Sequence, residues 1–201
     1  ERLDSSVVSG DVVAAGSDEQ DKAAAHGSFD VISEGGIEAL IDCVKMGDEG
    51  LDAVAFGALA DLTCGCEDAS ERFFTYGGIS HLLCSMKRFG LNVAIQRACC
   101  CVLGYVAQAH LIGEEGGVVA VMAAINNFFS PEDTNSAENA LMYFGCFALE
   151  ALAVTAENQR RITDLAGLEL ARKVRKFLPD DWKAKLDERL STLPKLYIFL
   201  K

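Results

Sequence analysis

A glycine pair followed by an apolar residue recurs along this 201-residue chain, and this recurrence constrains the fold more than any other feature. The copies are Gly35-Gly36-Ile37, Gly77-Gly78-Ile79 and Gly116-Gly117-Val118, with Ala166-Gly167-Leu168 as a weaker fourth copy. They are spaced by 42, 39 and 50 residues. Periods of this length are typical of proteins built by stacking one helical unit. The array then determines the architecture, and its surface determines the function.

A second set of residues keeps phase with the glycine pairs. One trio with the spacing i, i+4, i+7 occurs as Ala55/Leu59/Leu62, Cys99/Leu103/Val106 and Gly145/Leu149/Leu152. This spacing places each trio on one face of a helix. A further apolar position lies five residues before the second glycine of each pair, at Val31, Phe73, Ile112 and Ile162. Each unit therefore presents apolar helical stripes that only neighbouring units can bury.

The same patterns predict where the helices lie. In the first unit we predict helices at about 22–33, 37–46 and 51–64, and in the second at about 67–76, 79–89 and 92–109. The third unit has a short helix at about 110–114, then 118–129 and 136–155, with a loop at 130–135 that contains Pro131. A fourth unit begins at Asn158 and then departs from the pattern. Asp180 or Asp181 is a candidate cap for a last helix over 182–190, which Pro194 follows.

These residues resemble the armadillo repeat, which has a short first helix, a Gly-Gly turn, a second helix and a longer third helix rich in small residues. The resemblance covers about residues 21–178 and implies an all-α fold, a right-handed α-solenoid of three-helix repeats. HEAT-like repeats have a similar length but usually lack the glycine turn, and they are the alternative fold. Residues 1–20 are then an N-terminal extension or the remnant of a preceding repeat, and residues 179–201 are C-terminal capping helices.

Both ends of such an array need a cover for the apolar faces of the terminal units. At the C-terminus the candidate cover is Trp182, Leu186, Leu190, Leu193, Leu196 and Phe199, and the alternative is that this segment is a docking peptide. The chain starts at Glu1 without a methionine, which fits a processed or partial piece of a longer protein. In that case residues ahead of Glu1 would carry any targeting or acylation signal.

Charge is distributed unevenly along the chain. Residues 1–159 hold 7 Lys and Arg against 24 Asp and Glu, whereas residues 160–201 hold 11 against 6. An acidic body repels a phosphate backbone, so we do not expect the repeats to bind nucleic acid. The basic patch, Arg160, Arg161, Arg172, Lys173, Arg175 and Lys176, is a candidate contact for an acidic partner or anionic lipid. The plainer interpretation is a solvated helical face beside acidic neighbours.

The eight cysteines do not form a recognisable metal or disulfide pattern. Cys99, Cys100 and Cys101 are consecutive, and successive helical residues point about 100° apart. Cys43, Cys64, Cys84 and Cys146 lie in apolar helical surroundings, where we expect cysteine to act as a small hydrophobe. Cys64-Gly65-Cys66 has no second pair or nearby histidine to complete a zinc site. We expect no metal and no cofactor, a reducing compartment that is the cytoplasm, and no transmembrane helix.

Catalytic patterns are equally lacking. The three histidines fall in separate units, and none lies within a nucleophile motif. The chain has no phosphate-binding loop, no Gly-x-Ser-x-Gly and no His-Glu-x-x-His stretch. We therefore expect a protein without enzymatic activity.

The resemblance implies that partners bind along the third helices. The importin alpha branch of the family carries a ladder of Trp and Asn there, but this chain has Gly57, Cys101 and Phe147 at the Trp-like positions and Asp61, Tyr105 and Ala151 at the Asn-like ones. The ladder is absent, so we do not expect nuclear-import-receptor activity. The predicted partner-binding residues are instead Asp61, Cys101, Tyr105, Gln108, Phe147 and Thr155. Tyr105 and Phe147 are the predicted anchors, unless they only fill the joint between units.

Two functions remain open at this point. The first is an adaptor or scaffold that binds a segment of a partner protein in the groove lined by the third helices. The second is an integral structural subunit of a large multiprotein assembly, which the high apolar content and the missing start also fit. The sequence does not identify the partner.

Overall fold

The computed structural model describes residues 30–106, 108–130 and 136–191, and in these ranges the regular structure is helical without strands. The prediction of an all-α fold is confirmed. None of the described helices is both long and apolar enough to cross a membrane. The helices are α1 (Gly36–Lys45), α2 (Glu49–Thr63), α3 (Glu67–Thr75), α4 (Gly78–Arg88), α5 (Val93–Tyr105), α6 (Ala109–Glu114), α7 (Gly117–Phe128), α8 (Ser136–Leu152), α9 (Ala156–Asp164), α10 (Gly167–Phe177) and α11 (Asp180–Ser191).

The described helices fall into four successive units. The first contains α1 and α2, the second α3 to α5, the third α6 to α8 and the fourth α9 to α11. The last helix of each unit packs against the last helix of the next, so that α2, α5, α8 and α11 lie side by side. We call these four the third helices. The main packing contacts among described helices join elements of the same unit or of adjacent units.

The first glycine of each pair turns the chain from the first helix of a unit into the second. Gly35, Gly77 and Gly116 have φ angles of 84°, 80° and 96°, in the left-handed region that a side chain disfavours. In the fourth unit Ala166 adopts the same conformation with φ 56°. The turn is thus retained where the glycine is not.

The second glycine has a different role, which is close packing. A Cβ on Gly36, Gly78, Gly117 or Gly167 would come within 2.4 to 2.7 Å of the side chain five residues earlier. Those side chains are Val31, Phe73, Ile112 and Ile162, the apolar positions already noted in the sequence. The spacing of five residues therefore marks a contact within each turn.

Side-chain caps begin several of the helices. The Asp48 carboxylate accepts a hydrogen bond from Leu51 N at 2.9 Å ahead of α2, and the Asn92 side chain accepts one from Ile95 N at 3.1 Å ahead of α5. Such caps satisfy backbone donors that the first turn of a helix leaves without partners. They help place the start of two third helices at equivalent points.

The predicted core trios are buried, except for Leu62, which is half-buried. Leu59, Leu103 and Leu149 have no exposed surface, and they occupy equivalent places in α2, α5 and α8. Val31 differs from the pattern because it is 47% exposed, while Ile32 is buried beside it. Phe73, Ile112 and Ile162 are buried as the stripe pattern predicts.

Two third helices end several residues earlier than predicted: the helix predicted over 136–155 ends at Leu152, and the other is α5. The helix predicted over 92–109 ends at Tyr105, because Val106 has extended backbone angles (φ −79°, ψ 125°), and α6 then begins at Ala109. The helix predicted over 182–190 is α11 (Asp180–Ser191), and it packs against α8. Leu186 on α11 is fully buried, although acidic and basic residues surround it in the sequence. Leu186 is among the residues predicted to cover the end of the array.

Three predictions lie outside the described residues. They are the N-terminal extension over 1–20 with most of the helix predicted over 22–33, the loop residues 131–135, and the segment 192–201 with Leu193, Leu196 and Phe199.

Candidate binding face and cleft

Equivalent positions on the third helices form a regular surface. Measured from Leu59, Leu103 and Leu149, three offsets point to the same side: six residues before, two before and two after. They hold Ala53, Gly57 and Asp61 on α2; Arg97, Cys101 and Tyr105 on α5; and Tyr143, Phe147 and Ala151 on α8. Because the reference leucines are buried alike and the helices pack side by side, these nine positions lie next to one another. We call this surface the third-helix face.

The third-helix face carries two charged residues of opposite sign towards one end and aromatic residues towards the other. Asp61 and Arg97 are exposed, and Gly57 leaves open space in which an added Cβ would meet no atom within 4 Å. Tyr143 is half-buried and lies 5.9 Å from the Trp182 ring of α11, measured between ring centroids. Aromatic rings with one free edge provide contact area at little cost in side-chain entropy.

Tyr105 and Phe147 make a direct contact across the joint between α5 and α8. Their ring centroids are 5.2 Å apart in an edge-to-face arrangement. The Phe147 ring also lies against Gly104, where an added Cβ would approach it to 2.2 Å. Phe147 is only 3% exposed, so it supports Tyr105 from below and offers no surface to a partner. Phe147 therefore lies buried in the joint between α5 and α8.

The other predicted partner-binding residues separate into groups. Cys101 is buried, whereas Asp61 is exposed and Tyr105 is half-buried. The Thr155 side chain accepts a hydrogen bond from Asn158 N at 3.2 Å and thereby caps α9. Gln108 lies beyond the end of α5, away from the three rows of the third-helix face. Asp61 is thus exposed, Tyr105, Gln108 and Thr155 are half-buried, and Cys101 and Phe147 are buried.

Tyr105 and Gln108 both line a cleft of about 520 Å³ at the carboxyl ends of α2 and α5. Its other lining residues come from the turn between α2 and α3 and from the first turns of α3: Thr63, Gly65, Cys66, Glu67, Ser70 and Glu71. The Cys64 thiol donates a hydrogen bond to the Tyr105 hydroxyl oxygen, with an Sγ to Oη distance of 3.1 Å. This bond ties the two connections together at the edge of the cleft. We call the cleft lined by these residues the Tyr105 cleft.

Hydrogen-bond acceptors dominate the Tyr105 cleft. The Thr63 hydroxyl donates to Leu59 O at 2.8 Å and the Ser70 hydroxyl donates to Cys66 O at 3.1 Å, so both donors are engaged by the backbone. Gln108 Oε1 is buried and accepts no hydrogen bond. A buried acceptor without a donor costs about 1–3 kcal/mol.

Two carboxylates also line the Tyr105 cleft. Glu67 and Glu71 stand one turn apart on α3, are exposed, and have no ion-pair partner among the described residues. Like charges at this spacing destabilise a helix by about 0.2–0.5 kcal/mol. Glu67 also lies in the first turn of α3, where a negative charge favourably meets the helix dipole. Glu71, one turn further on, gains less from that dipole.

Sequence reasoning found Tyr105 and Gln108 but missed the rest of the cleft. Thr63, Cys66 and Ser70 show no unusual pattern, because their role depends on how two chain connections meet. The available signal was the like-charged pair of Glu67 and Glu71 at a spacing of four residues.

The basic patch is largely engaged in ion pairs. Arg160 and Arg161 on α9 both contact Glu157, at 3.7 and 3.6 Å, and Lys173 on α10 contacts Glu169 at 3.0 Å. Arg175 makes a two-pronged contact with Asp187 of α11, in which Nε lies 2.7 Å from Oδ1. Arg172 and Lys176 are exposed. The Arg175 pair joins α10 to α11, which is a role in packing.

The cysteines occupy two kinds of environment. Cys99, Cys100 and Cys146 are fully buried, and burial raises the thiol pKa of each, for Cys146 to about 12. A thiol held in its protonated form is a poor nucleophile and a poor metal ligand. Cys64 and Cys84 are exposed, so the expectation that they act as buried hydrophobes is wrong. Cys64 ends α2 instead and donates its hydrogen bond to Tyr105.

No group of three or more His, Cys, Asp or Glu side chains suited to holding a metal ion occurs in the part of the chain that the structure describes. A buried carboxylate, Asp52 on α2, accepts a hydrogen bond from the Ser85 hydroxyl of α4. This pair connects two adjacent units and opens onto no described cleft.

No protein-family model matches the chain, and no curated protein or solved structure matches it. The third-helix face and the Tyr105 cleft are therefore interpreted from their own residues and geometry.

Proposed function

We propose that this chain is a non-enzymatic scaffold or adaptor, a right-handed α-solenoid of armadillo-like repeats whose third-helix face binds a segment of a partner protein. The observation that carries the proposal is the side-by-side packing of α2, α5, α8 and α11. That packing aligns equivalent residues of successive units into one extended surface. Extended surfaces of this kind are what stacked repeat proteins use for binding.

The composition of the third-helix face supports a peptide ligand. Gly57 and Ala53 leave room for a main chain on α2, while Arg97 and Asp61 offer opposite charges on neighbouring helices. Tyr105 and the pair Tyr143–Trp182 supply aromatic anchors. Binding hot spots are enriched in these residue types. The eight cysteines all lie among the described residues and form no disulfide, which supports placing the scaffold in a reducing compartment, for which we propose the cytoplasm.

The proposal is tested by blocking the third-helix face at Gly57. Peptides are first selected by display on the immobilised full chain, and their affinities are then measured for the wild type and for Gly57→Gln. The substitution should leave the fold intact, because an added Cβ meets open space and glutamine favours helix more than glycine does. We expect the selected peptides to bind Gly57→Gln at least about ten-fold more weakly, equivalent to about 1.4 kcal/mol.

The matched control is Val119→Gln on α7, which introduces the same side chain at an exposed position of a second helix. We expect peptide affinity within about two-fold of the wild type for this variant. Peptides that bind Gly57→Gln and wild type alike would contradict the proposal.

The alternative, an integral subunit of a larger assembly, is favoured by one observation. Val54 and Leu51 on α2 are 73% and 40% exposed on a helix whose other side packs against α5. Apolar exposure of this kind on the first described unit is expected where another protein covers it. Size-exclusion chromatography separates the two functions: a scaffold elutes as a monomer, whereas an orphaned subunit self-associates.

A further inference from the structure

We propose that the Tyr105 cleft binds an arginine side chain of the partner segment. This inference rests on the proposed function, because the cleft adjoins the third-helix face at Tyr105 and would receive one residue of the segment bound there. The occupant is identified by the chemistry of the cleft, which offers acceptors and negative charge.

The first step of the argument concerns hydrogen bonding. Gln108 Oε1 is buried without a donor, and the Thr63 and Ser70 hydroxyl hydrogens already point to backbone carbonyls. A ligand that satisfies this cleft must therefore bring donors. A guanidinium group carries five N–H donors and no acceptor.

The second step concerns charge. Glu67 and Glu71 repel each other along α3, and no cation of the described residues pairs with either. A ligand cation placed between them removes that repulsion and gains charge-assisted hydrogen bonds. The surrounding body is also acidic, with 7 basic against 24 acidic residues over 1–159, which raises the local concentration of cationic segments.

The third step distinguishes arginine from lysine. Tyr105 lines the cleft together with the two glutamates, Glu67 and Glu71. A planar guanidinium can stack on an aromatic ring while its edges donate to carboxylates, whereas an ammonium group is compact and more strongly hydrated. The cleft volume of about 520 Å³ falls in the range of ligand pockets and leaves room for the flanking main chain.

The test uses the full chain labelled with ¹⁵N and titrated with N-acetyl-arginine methylamide, followed by NMR. We expect saturable chemical-shift changes at the amides of Gly65, Cys66 and Tyr105. Two control probes should each bind at least about five-fold more weakly. One is Nα-acetyl-citrulline methylamide, which has the same shape without the charge, and the other is Nα-acetyl-lysine methylamide, which keeps its side-chain ammonium group.

The variants form a matched pair with the same change in net charge. Glu67→Gln/Glu71→Gln should weaken arginine binding about ten-fold, whereas Glu114→Gln/Glu115→Gln at the end of α6 should leave it within about two-fold. Equal weakening in both double variants would show diffuse attraction to the acidic body and overturn the inference. Equal binding of arginine and citrulline, or of arginine and lysine, would overturn it as well.

The two proposals fail in different ways. If display-selected peptides lose affinity for Gly57→Gln but bind Glu67→Gln/Glu71→Gln like the wild type, the third-helix face binds peptides and the arginine cleft is wrong. If the arginine probe behaves as expected and Gly57→Gln has no effect on peptides, the cleft stands and the proposed function is wrong.

Discussion

At the scale of single residues, the turn at Ala166 and Gly167 distinguishes the two requirements that the glycine pair meets in the other units, a left-handed backbone and close packing. Ala166 replaces the first glycine and accepts the left-handed conformation, whereas Gly167 remains where a side chain would strike Ile162. Backbone strain of this kind is tolerable in one turn, but a steric collision with a buried side chain and its carbonyl is not easily relieved. Close packing is therefore the stricter of the two requirements.

Replacing Ala166 by glycine should stabilise the protein. An alanine in the left-handed region costs about 1–2 kcal/mol, and the greater flexibility of glycine in the unfolded chain offsets about 0.5–1 kcal/mol of that. We expect Ala166→Gly to raise the free energy of unfolding by up to about 1 kcal/mol, and Gly77→Ala to lower it by about 1 kcal/mol. Urea denaturation measures both. A loss of stability in Ala166→Gly would show that the turn is not strained.

Two glycines on the third helices should respond to alanine in opposite directions. Gly57 has open space around its Cα, so Gly57→Ala should stabilise α2 by about 0.5–1 kcal/mol through helix propensity. Gly104 faces the buried Phe147 ring, so Gly104→Ala should destabilise by about 1–3 kcal/mol through overpacking. Guanidinium denaturation of the two variants gives the comparison. Similar effects at both positions would contradict the close approach of α5 to Phe147.

At the scale of helices, the sequence predicted most elements and their order. Periodicity located α1 to α8 within a few residues, because each carries a buried stripe such as Leu103 with its neighbours. The last helix was predicted over 182–190 and is α11, on which Leu186, one of the residues predicted to cover the end of the array, is fully buried. The Tyr105 cleft was not predictable from helical periodicity, since it depends on a hydrogen bond between Cys64 and Tyr105, 41 residues apart.

The buried thiols of α5 and α8 make the free energy of unfolding fall as the pH becomes alkaline. Burial raises the thiol pKa of Cys146 from an ordinary value of 9.0 to about 12, and it raises the pKa of Cys99 and Cys100 in the same direction. Because the thiol pKa is higher in the folded state, the protonated thiol favours folding below pH 9. This contribution to stability is lost as the pH rises from 9 toward 12. Stability should therefore fall above about pH 9.

The contribution of one thiol can be isolated with Cys146→Ala. Each thiol that ionises only in the unfolded chain contributes a slope of about 1.4 kcal/mol per pH unit once the pH exceeds its unfolded pKa. We expect the fall in unfolding free energy between pH 9 and 10.5 to be shallower by roughly that slope in the variant, measured by urea denaturation at each pH. Parallel curves for variant and wild type would mean that Cys146 titrates alike in both states.

At the scale of the whole molecule, the unit order creates a nearly one-dimensional network of contacts. The acidic first three units and the basic fourth unit differ in charge, yet they pack by the same arrangement of third helices. The repeat in the sequence predicted this succession because each unit must bury its stripes on its neighbours. It did not predict which surface residues would stay accessible, as the burial of Cys101 and Phe147 illustrates.

Such a network predicts that the effect of a core mutation depends on its position in the stack. Leu103 on α5 has a unit on each side, whereas Leu186 on α11 belongs to the last described unit, and both side chains are fully buried. Either leucine replaced by alanine should lose about 2–5 kcal/mol of local packing. Hydrogen exchange followed by mass spectrometry should show faster exchange across α2, α5 and α8 in Leu103→Ala. In Leu186→Ala the faster exchange should be confined to α8 through α11, because stability in stacked repeats is transmitted mainly between neighbours. Acceleration of α1 and α2 in Leu186→Ala equal to that of α11 would show instead that the units unfold as one cooperative block.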